Sequence, residues 1–317
     1  MKALTLNEVA QWLLKEDRYL ILTHRRPDGD TIGSAVALCR GLRSLGKEAW
    51  ILDNPQFTPK YAPFLEGLIV GEVPAESRIL SVDIASEGLL PFNAVELADA
   101  VELLIDHHGS NSGFAQTGYV DSTAAACGEI ILELLSCMEV EPDPSIGEAL
   151  YVAISTDTGC FRYSNTTANT LMSAATCKNW GADTFTINRV FFMTKRPARL
   201  KLEAYLTNTT EFYSSGKVAV SVIPNSVRGE LDLTQDDIDD ISGFGREIEG
   251  VEVAVMIRQE TEGGKISVRT SPRCDASAIC GKLGGGGHKA AAGATVPGGI
   301  EEAKAAVLRV LAEMGLI

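Results

Sequence analysis

The feature of this 317-residue chain that most constrains its fold is a recurrence: short apolar, strand-like runs that each stop at a carboxylate or an imidazole. Tyr19–Thr23 runs into His24-Arg25-Arg26-Pro27-Asp28-Gly29-Asp30, Arg78–Val82 ends at Asp83, and Val101–Ile105 ends at Asp106-His107-His108. A fourth acidic position, Asp157, lies in Ser155-Thr156-Asp157-Thr158-Gly159. Between the runs, helical periodicity is expected over Thr31–Leu45 (closed by Gly46), Ala124–Cys137, Ser145–Ile154 and Thr167–Trp180. That alternation favours a parallel sheet with helices on both faces. In such a sheet the carboxyl ends of the strands line one edge, where ligands gather. The pattern therefore predicts that four distant segments converge.

An acidic residue ending a single strand usually caps a helix or faces water, and Pro-Asp-Gly-Asp alone is ordinary turn chemistry. Four such places, three of them with no Lys or Arg nearby, call for cations. Read as an extended turn, Asp28 and Asp30 face the same way, with Gly29 letting the backbone bend between them. Carboxylates with imidazoles and no thiolate favour manganese, are compatible with cobalt, iron or magnesium, and argue against structural zinc. There are more carboxylates than one divalent ion needs. Two ions about 3.5–4 Å apart, sharing one carboxylate, are the arrangement used for in-line attack at phosphorus.

In this order, the four motifs resemble those of the DHH phosphoesterases, named for the third tripeptide. Farther on, Gly284-Gly285-Gly286-Gly287-His288 and Ala290-Ala291-Ala292-Gly293, preceded by Ser267-Val268-Arg269, are similar to the DHH-associated C-terminal domain of the RecJ-like branch. Together the motifs span nearly the whole chain. The resemblance implies an α/β architecture: a parallel-sheet DHH domain over 1–185, a helical linker over 186–207 and a smaller α/β substrate-binding domain over 208–317. It implies that His24, Asp28 and Asp83 hold one manganese and that Asp30, Asp83, His107 and Asp157 hold a second, with Asp83 as the bridge. Asp106 would orient a ligand, and His108, pointing elsewhere than its neighbour His107, would face the scissile phosphate or protonate the leaving oxygen. Arg269 and His288 match positions that contact the substrate phosphate or terminal nucleotide.

Gly285, Gly286 and Gly287 would let backbone amides approach a phosphate, in a cleft between the two domains. Arg162, close after Asp157, either steadies that phosphate or pairs with an acidic neighbour. Two departures from the family pattern are Thr270, where relatives carry Ser, and Ser86-Glu87-Gly88, where relatives carry an Arg a few residues on. The implied activity is hydrolysis of very short RNA oligonucleotides to mononucleotides, with removal of the 3′-phosphate of 3′-phosphoadenosine 5′-phosphate as a second reaction. A phosphodiesterase for linear or cyclic dinucleotides, a DHH pyrophosphatase and a non-catalytic nucleotide sensor are the alternatives.

Charge fits a small substrate. Lys and Arg number 28 against 42 acidic residues, a net charge of −14, which opposes long nucleic acid held by many phosphate contacts. Residues 250–290 run the other way, with Arg258, Lys265, Arg269, Arg273, Lys282 and Lys289 against Glu252, Glu260, Glu262 and Asp275. Seven cysteines without a Cys-x-x-Cys pair read as core residues in a reducing compartment. The first 18 residues read as an amphipathic helix with Thr5 and Glu8 in capping-box spacing, not as a signal peptide. With no apolar run of about 20 residues, the expected location is the cytoplasm, with no membrane partner. A homodimer is compatible with the family likeness.

Overall fold

Seven parallel strands build the first sheet of the computed structural model: β1 (Lys2–Ala3), β2 (Tyr19–Leu22), β3 (Ala49–Leu52), β4 (Ile69–Val70), β5 (Arg78–Val82), β6 (Val101–Asp106) and β7 (Thr117–Val120). Their spatial order is β1-β7-β6-β5-β2-β3-β4, so the three motif-bearing strands β6, β5 and β2 are adjacent at the centre. The structure describes residues 1–260 and 263–317, apart from the side chains of Asp236, Asp239 and Asp240. It divides into two units, Met1–Thr194 and Lys195–Ile317.

All four residues of β2 are fully buried, and they alternate between two cores. Tyr19 and Ile21 pack with residues of helices α1 (Leu6–Lys15), α2 (Gly29–Ser44), α3 (Ala62–Leu65), α4 (Cys127–Cys137) and α5 (Pro144–Asp157). Leu20 and Leu22 pack on the opposite face with Ile84, Leu90, Ala94 and Val101, under short 3₁₀ turns at Glu87–Leu89 and Val95–Ala100. The expectation of helices on both faces is thus corrected: the α-helices cover one face, and the other is closed by turns whose few apolar residues carry no helical period. The N-terminal helix is also shorter than expected. Thr5 and Glu8 do form a reciprocal cap, but Lys2–Ala3 ahead of it pairs with β7.

Helices α2 and α5 meet at glycine. A Cβ on Gly29 would overlap the Thr156 side chain, and one on Gly33 would overlap the Ala149 carbonyl and lie 2.8 Å from Ala153 N. These two absent side chains let the start of α2 lie against the end of α5, which carries Asp157.

The second unit has a mixed six-stranded sheet, β8 (Glu211–Tyr213), β9 (Val218–Ile223), β10 (Val253–Glu260), β11 (Gly263–Thr270), β12 (Gly286–Gly287) and β13 (Ala291–Val296). Its order is β12-β13-β11-β10-β9-β8, with only β9 and β10 parallel. The closing helix Ile300–Glu313 packs on one face, and the helix Pro197–Thr209 buries Leu202 and Leu206 against Ile223 and Met256 on the other. Among the described residues no helix is long and apolar enough to cross a membrane. Cys39, Cys127, Cys177 and Cys280 are buried as expected of core thiols; Cys137 is exposed at the end of α4.

Candidate metal centre

Beyond the carboxyl ends of β2, β5 and β6, three groups of ligating atoms form: His24 with Asp28 and Asp83; Asp30 with His107 and Asp157; and Asp83 with Asp106, His107 and His108. Each group gathers atoms within 4.8 Å of one another, and Asp83 is common to two of them.

Asp28 and Asp30 serve different groups because they begin a helix instead of flanking an extended turn. Asp28 is the N-cap of α2, accepting from the amides of Asp30 (3.0 Å) and Thr31 (3.3 Å). Residues two apart at a helix start point in divergent directions. Gly29 is accordingly a packing residue, not a bend. His24 Nε2 lies 3.5 Å from Asp28 Oδ1 and 3.7 Å from Asp83 Oδ2. Its Nδ1 is 3.1 Å from the Arg25 carbonyl, a bond that places the proton there and leaves Nε2 as the lone-pair nitrogen. Desolvation pushes the Asp28 carboxyl up, but His24 and the two capping amides hold it at about 2.

Asp30 is buried where helix α4 begins. Its carboxylate accepts from Cys127 N (2.7 Å), Gly128 N (2.9 Å) and Ser34 Oγ (3.0 Å). Burial still raises its pKa above the usual range, with His107 opposing. The His107 Nε2 atom is 3.7 Å from Asp30 Oδ2, 3.5 Å from Asp83 Oδ1 and 3.9 Å from Asp157 Oδ2, while its Nδ1 is 3.2 Å from the Ala124 carbonyl. Asp157 is the last residue of α5, which runs three residues beyond the helix expected over Ser145–Ile154.

Asp83 is 3% exposed, adopts a left-handed φ of 59°, and its Oδ1 has no hydrogen-bond partner. Burial first, then the charges of Asp30, Asp28, Asp106 and Asp157, raise its pKa well above the carboxylate range; burial and Asp30 do the same to Asp157. A buried, strained carboxylate with an orphaned oxygen, facing two imidazole nitrogens at 3.5 Å, is a donor set suited to a cation. The oxygen- and imidazole-rich set fits a hard or borderline divalent ion.

His108 does not point elsewhere. The His107 and His108 rings meet edge to face with centroids 4.5 Å apart, and His108 Nδ1 comes within 3.5 Å of Asp83 Oδ1. Strand alternation fails here because β6 ends at Asp106. Asp106 is fully buried and accepts from the His107 amide (2.8 Å) and from His108 Nδ1 (2.8 Å). The ring it orients is therefore that of His108, whereas His107 is oriented by Ala124. Burial pushes Asp106 up, but the bonds from His108, Asn111 and the His107 amide bring it below its ordinary value.

Residues 18–154 match the N-terminal domain of the DHH family, and residues 215–314 match the DHHA1 domain. Over 283 residues, 88% of this chain and 84% of the other, the sequence is 35% identical to the bifunctional oligoribonuclease and PAP phosphatase NrnA of Thermus thermophilus. The chain is a DHH-family phosphoesterase. An exopolyphosphatase-related protein from Bacteroides fragilis superposes with a TM-score of 0.88 at 22% identity, over 97% of this chain and 95% of that one. RecJ from Thermus thermophilus, solved in complex with Mn2+, gives 0.53 at 14% identity over 98% of this chain and 55% of RecJ. At these identities the two structures speak to fold alone.

The DHHA1 unit carries the remaining expected residues other than Arg162. Arg269 on β11 pairs in register with Ala291 on β13, beside the tight turn in which His288 N donates to the Ala291 carbonyl at 2.8 Å. The hydroxyl of Thr270 donates to the Lys289 carbonyl at 2.9 Å and so braces this turn. The glycine run is not a loose loop: Gly286 and Gly287 form β12, and a Cβ on Gly285 or Gly287 would strike β13. Close strand pairing is sufficient reason for those two glycines. In the DHH unit, Arg162 is exposed and donates Nε–H to its own Gly159 carbonyl at 2.6 Å; it makes no ion pair among the described residues.

Two supporting residues are not legible in the sequence: Asn111 donates to Asp106 Oδ2 at 2.6 Å, and Asn54 donates to the His24 carbonyl at 3.0 Å. Asn165, which the sequence places close after Asp157 beside Arg162, bridges the Ala125 and Asp157 carbonyls at 3.1 and 3.2 Å. Lone asparagines carry no pattern. Gly29-x-x-x-Gly33 does, and its small-residue spacing could have flagged the α2–α5 approach.

Proposed function

We propose that this phosphoesterase hydrolyses very short RNA oligonucleotides to mononucleotides and also removes the 3′-phosphate of 3′-phosphoadenosine 5′-phosphate. The observation that carries the reading is the orphaned, shared Asp83 carboxylate between two histidine–aspartate groups. It is the arrangement of a two-cation centre for phosphorus chemistry. The name and activities of the Thermus thermophilus relative support the substrate class.

His24, Asp28 and Asp83 would hold one cation, and Asp30, Asp83, His107 and Asp157 the other, with manganese favoured by the donor chemistry. When bound, such ions supply Lewis acidity at the phosphoryl oxygens and make water acidic enough to attack at neutral pH. The protein's own part is geometric. Asp106 fixes the His108 ring through Nδ1–H, so that in the imidazolium form the Nε2 proton can pass to the leaving oxygen and leave a neutral ring still bonded to Asp106. Arg269, His288 and the adjoining amides of Gly285–Gly287 would bind the terminal nucleotide, and Arg162 would steady its phosphate.

Chromatography of a mixture of an RNA dinucleotide, a 12-nucleotide RNA, 3′-phosphoadenosine 5′-phosphate, a cyclic dinucleotide and pyrophosphate, incubated with protein and manganese, tests this. Loss of the dinucleotide and the bisphosphate with the long strand intact is expected. Preferential loss of the cyclic dinucleotide or of pyrophosphate would overturn the substrate assignment.

A further inference from the structure

Immediately after the ligand His24, the chain presents a positive charge and a flat apolar face that the centre does not use. The Arg25 guanidinium lies over the Phe92 ring, 5.5 Å from its centroid, and Arg25 makes no ion pair among the described residues. Phe92 is 68% exposed. One exposed phenylalanine is ordinary; this one is held in place. Its neighbours Leu90, Pro91 and Ala94 are buried, and Ala94 N donates to the Pro91 carbonyl at 2.8 Å. Asn93 Nδ2 ties the same turn to the Asp53 carbonyl at 2.7 Å.

The turn is also joined to the centre through the backbone. Arg25 N donates to the Leu89 carbonyl at 2.6 Å, while the Arg25 carbonyl accepts from His24. A hydrogen-bonded turn therefore presents an exposed aromatic ring against Arg25, the residue that follows the metal-site histidine, with the guanidinium over one ring face. Base–aromatic stacking needs such a face and tolerates any base, and a cation behind the ring strengthens the platform.

We propose that Phe92, backed by Arg25, is a stacking seat for one nucleobase of the substrate, next to the scissile phosphate. The inference rests on the nucleotide substrate class proposed above. Phe92 binds substrate in this scheme, and Arg25 acts as a positioning residue for the ring.

The test is steady-state kinetics of wild type, Phe92→Ala, Phe92→Trp and Arg25→Ala on a diribonucleotide and on two analogues in which the first or the second base is replaced by hydrogen. For the intact dinucleotide, Phe92→Ala should lower kcat/KM at least about tenfold through KM, as loss of one base–aromatic stack implies. Phe92→Trp should restore it. Arg25→Ala should produce a smaller loss of the same kind. One of the two base-deleted analogues should be insensitive to Phe92→Ala. Equal losses on all three substrates, or no loss on the intact one, would overturn the seat while leaving the proposed reaction standing. If wild type cleaves no dinucleotide, the proposed reaction fails instead. The seat is then judged by quenching of a 2-aminopurine dinucleotide: quenching by wild type but not by Phe92→Ala upholds it, and no quenching by wild type overturns it.

Discussion

Replacing Asp83 by Asn should have opposite effects with and without divalent cations. In the metal-free protein the Asp83 carboxylate is buried, its Oδ1 is unpartnered, and burial and then the charges of Asp30, Asp28, Asp106 and Asp157 hold its pKa well above the usual range. The sign follows from the raised folded-state value. Its contribution to stability is intact below the unfolded pKa of about 3.9 and is lost as pH rises through the folded value. As pH rises, the buried group therefore opposes folding increasingly, whether held protonated or ionised without a partner. Asn removes the charge and tolerates the left-handed φ of 59° at this position. In a chelator at pH 8, Asp83→Asn should gain about 1–3 kcal/mol, the usual cost of an unsatisfied buried polar group. The gain should shrink toward pH 5. With manganese at about a hundredfold over its Kd, wild type gains about 2.7 kcal/mol and the variant does not, so the variant's advantage is cancelled at the top of its range and reversed below it. Urea denaturation followed by circular dichroism, at both pH values and with manganese or chelator, reads this directly. A variant less stable than wild type in chelator at pH 8 would refute the reasoning, because the carboxylate would then be satisfied by the protein alone.

Asp157→Asn should abolish turnover with the circular dichroism spectrum unchanged; near-normal rates would remove Asp157 from the centre. Gly33→Ala should cost about 1–3 kcal/mol by overpacking against the Ala149 carbonyl, and should weaken manganese binding by parting α2 from α5; unaltered affinity in calorimetry would show that the approach is not needed. Asn111→Ala should lower kcat by about tenfold, in the range for groups that orient a site, while leaving the manganese-induced thermal shift intact, and loss of that shift would mean that Asn111 supports ligands instead of His108. Arg269→Ala should mainly raise KM, so an unchanged KM would misplace the nucleotide pocket.

The legible part of this chain was the part written in local pattern. Strand ends at His24, Asp83 and Asp106 could be read because apolar runs stop there, and the alternation with helices pointed to a parallel sheet whose edge would gather them. What could not be read was direction. Whether Asp28 and Asp30 point together depends on whether Gly29 begins a helix, and that is decided by the fit of α2 against α5 at Thr156 and Ala149. Likewise, His107 and His108 were separated by a strand alternation that ends one residue too early. The turns covering the second sheet face contain too few residues to show a period, so that face was assigned helices it does not have. The close approach of Gly285 and Gly287 to β13 is not legible either, because that strand is rich in alanine and glycine and has no strand signal of its own.

The acidic character of the chain becomes intelligible when the centre is considered by charge. Asp28, Asp30, Asp83, Asp106 and Asp157 converge in a protein whose net charge, these five included, is −14, so without cations the site opposes a phosphodiester. Two divalent cations would offset four of these five negative charges, and the imidazoles of His24 and His107 add ligand atoms without adding charge. Bound cations would then make the centre a local attraction for phosphate, against the chain's net charge of −14. A strand with many phosphates gains little beyond its first one or two, while every further phosphate meets the acidic surface. Selection for short substrates is thus available from electrostatics alone, before any pocket wall limits length.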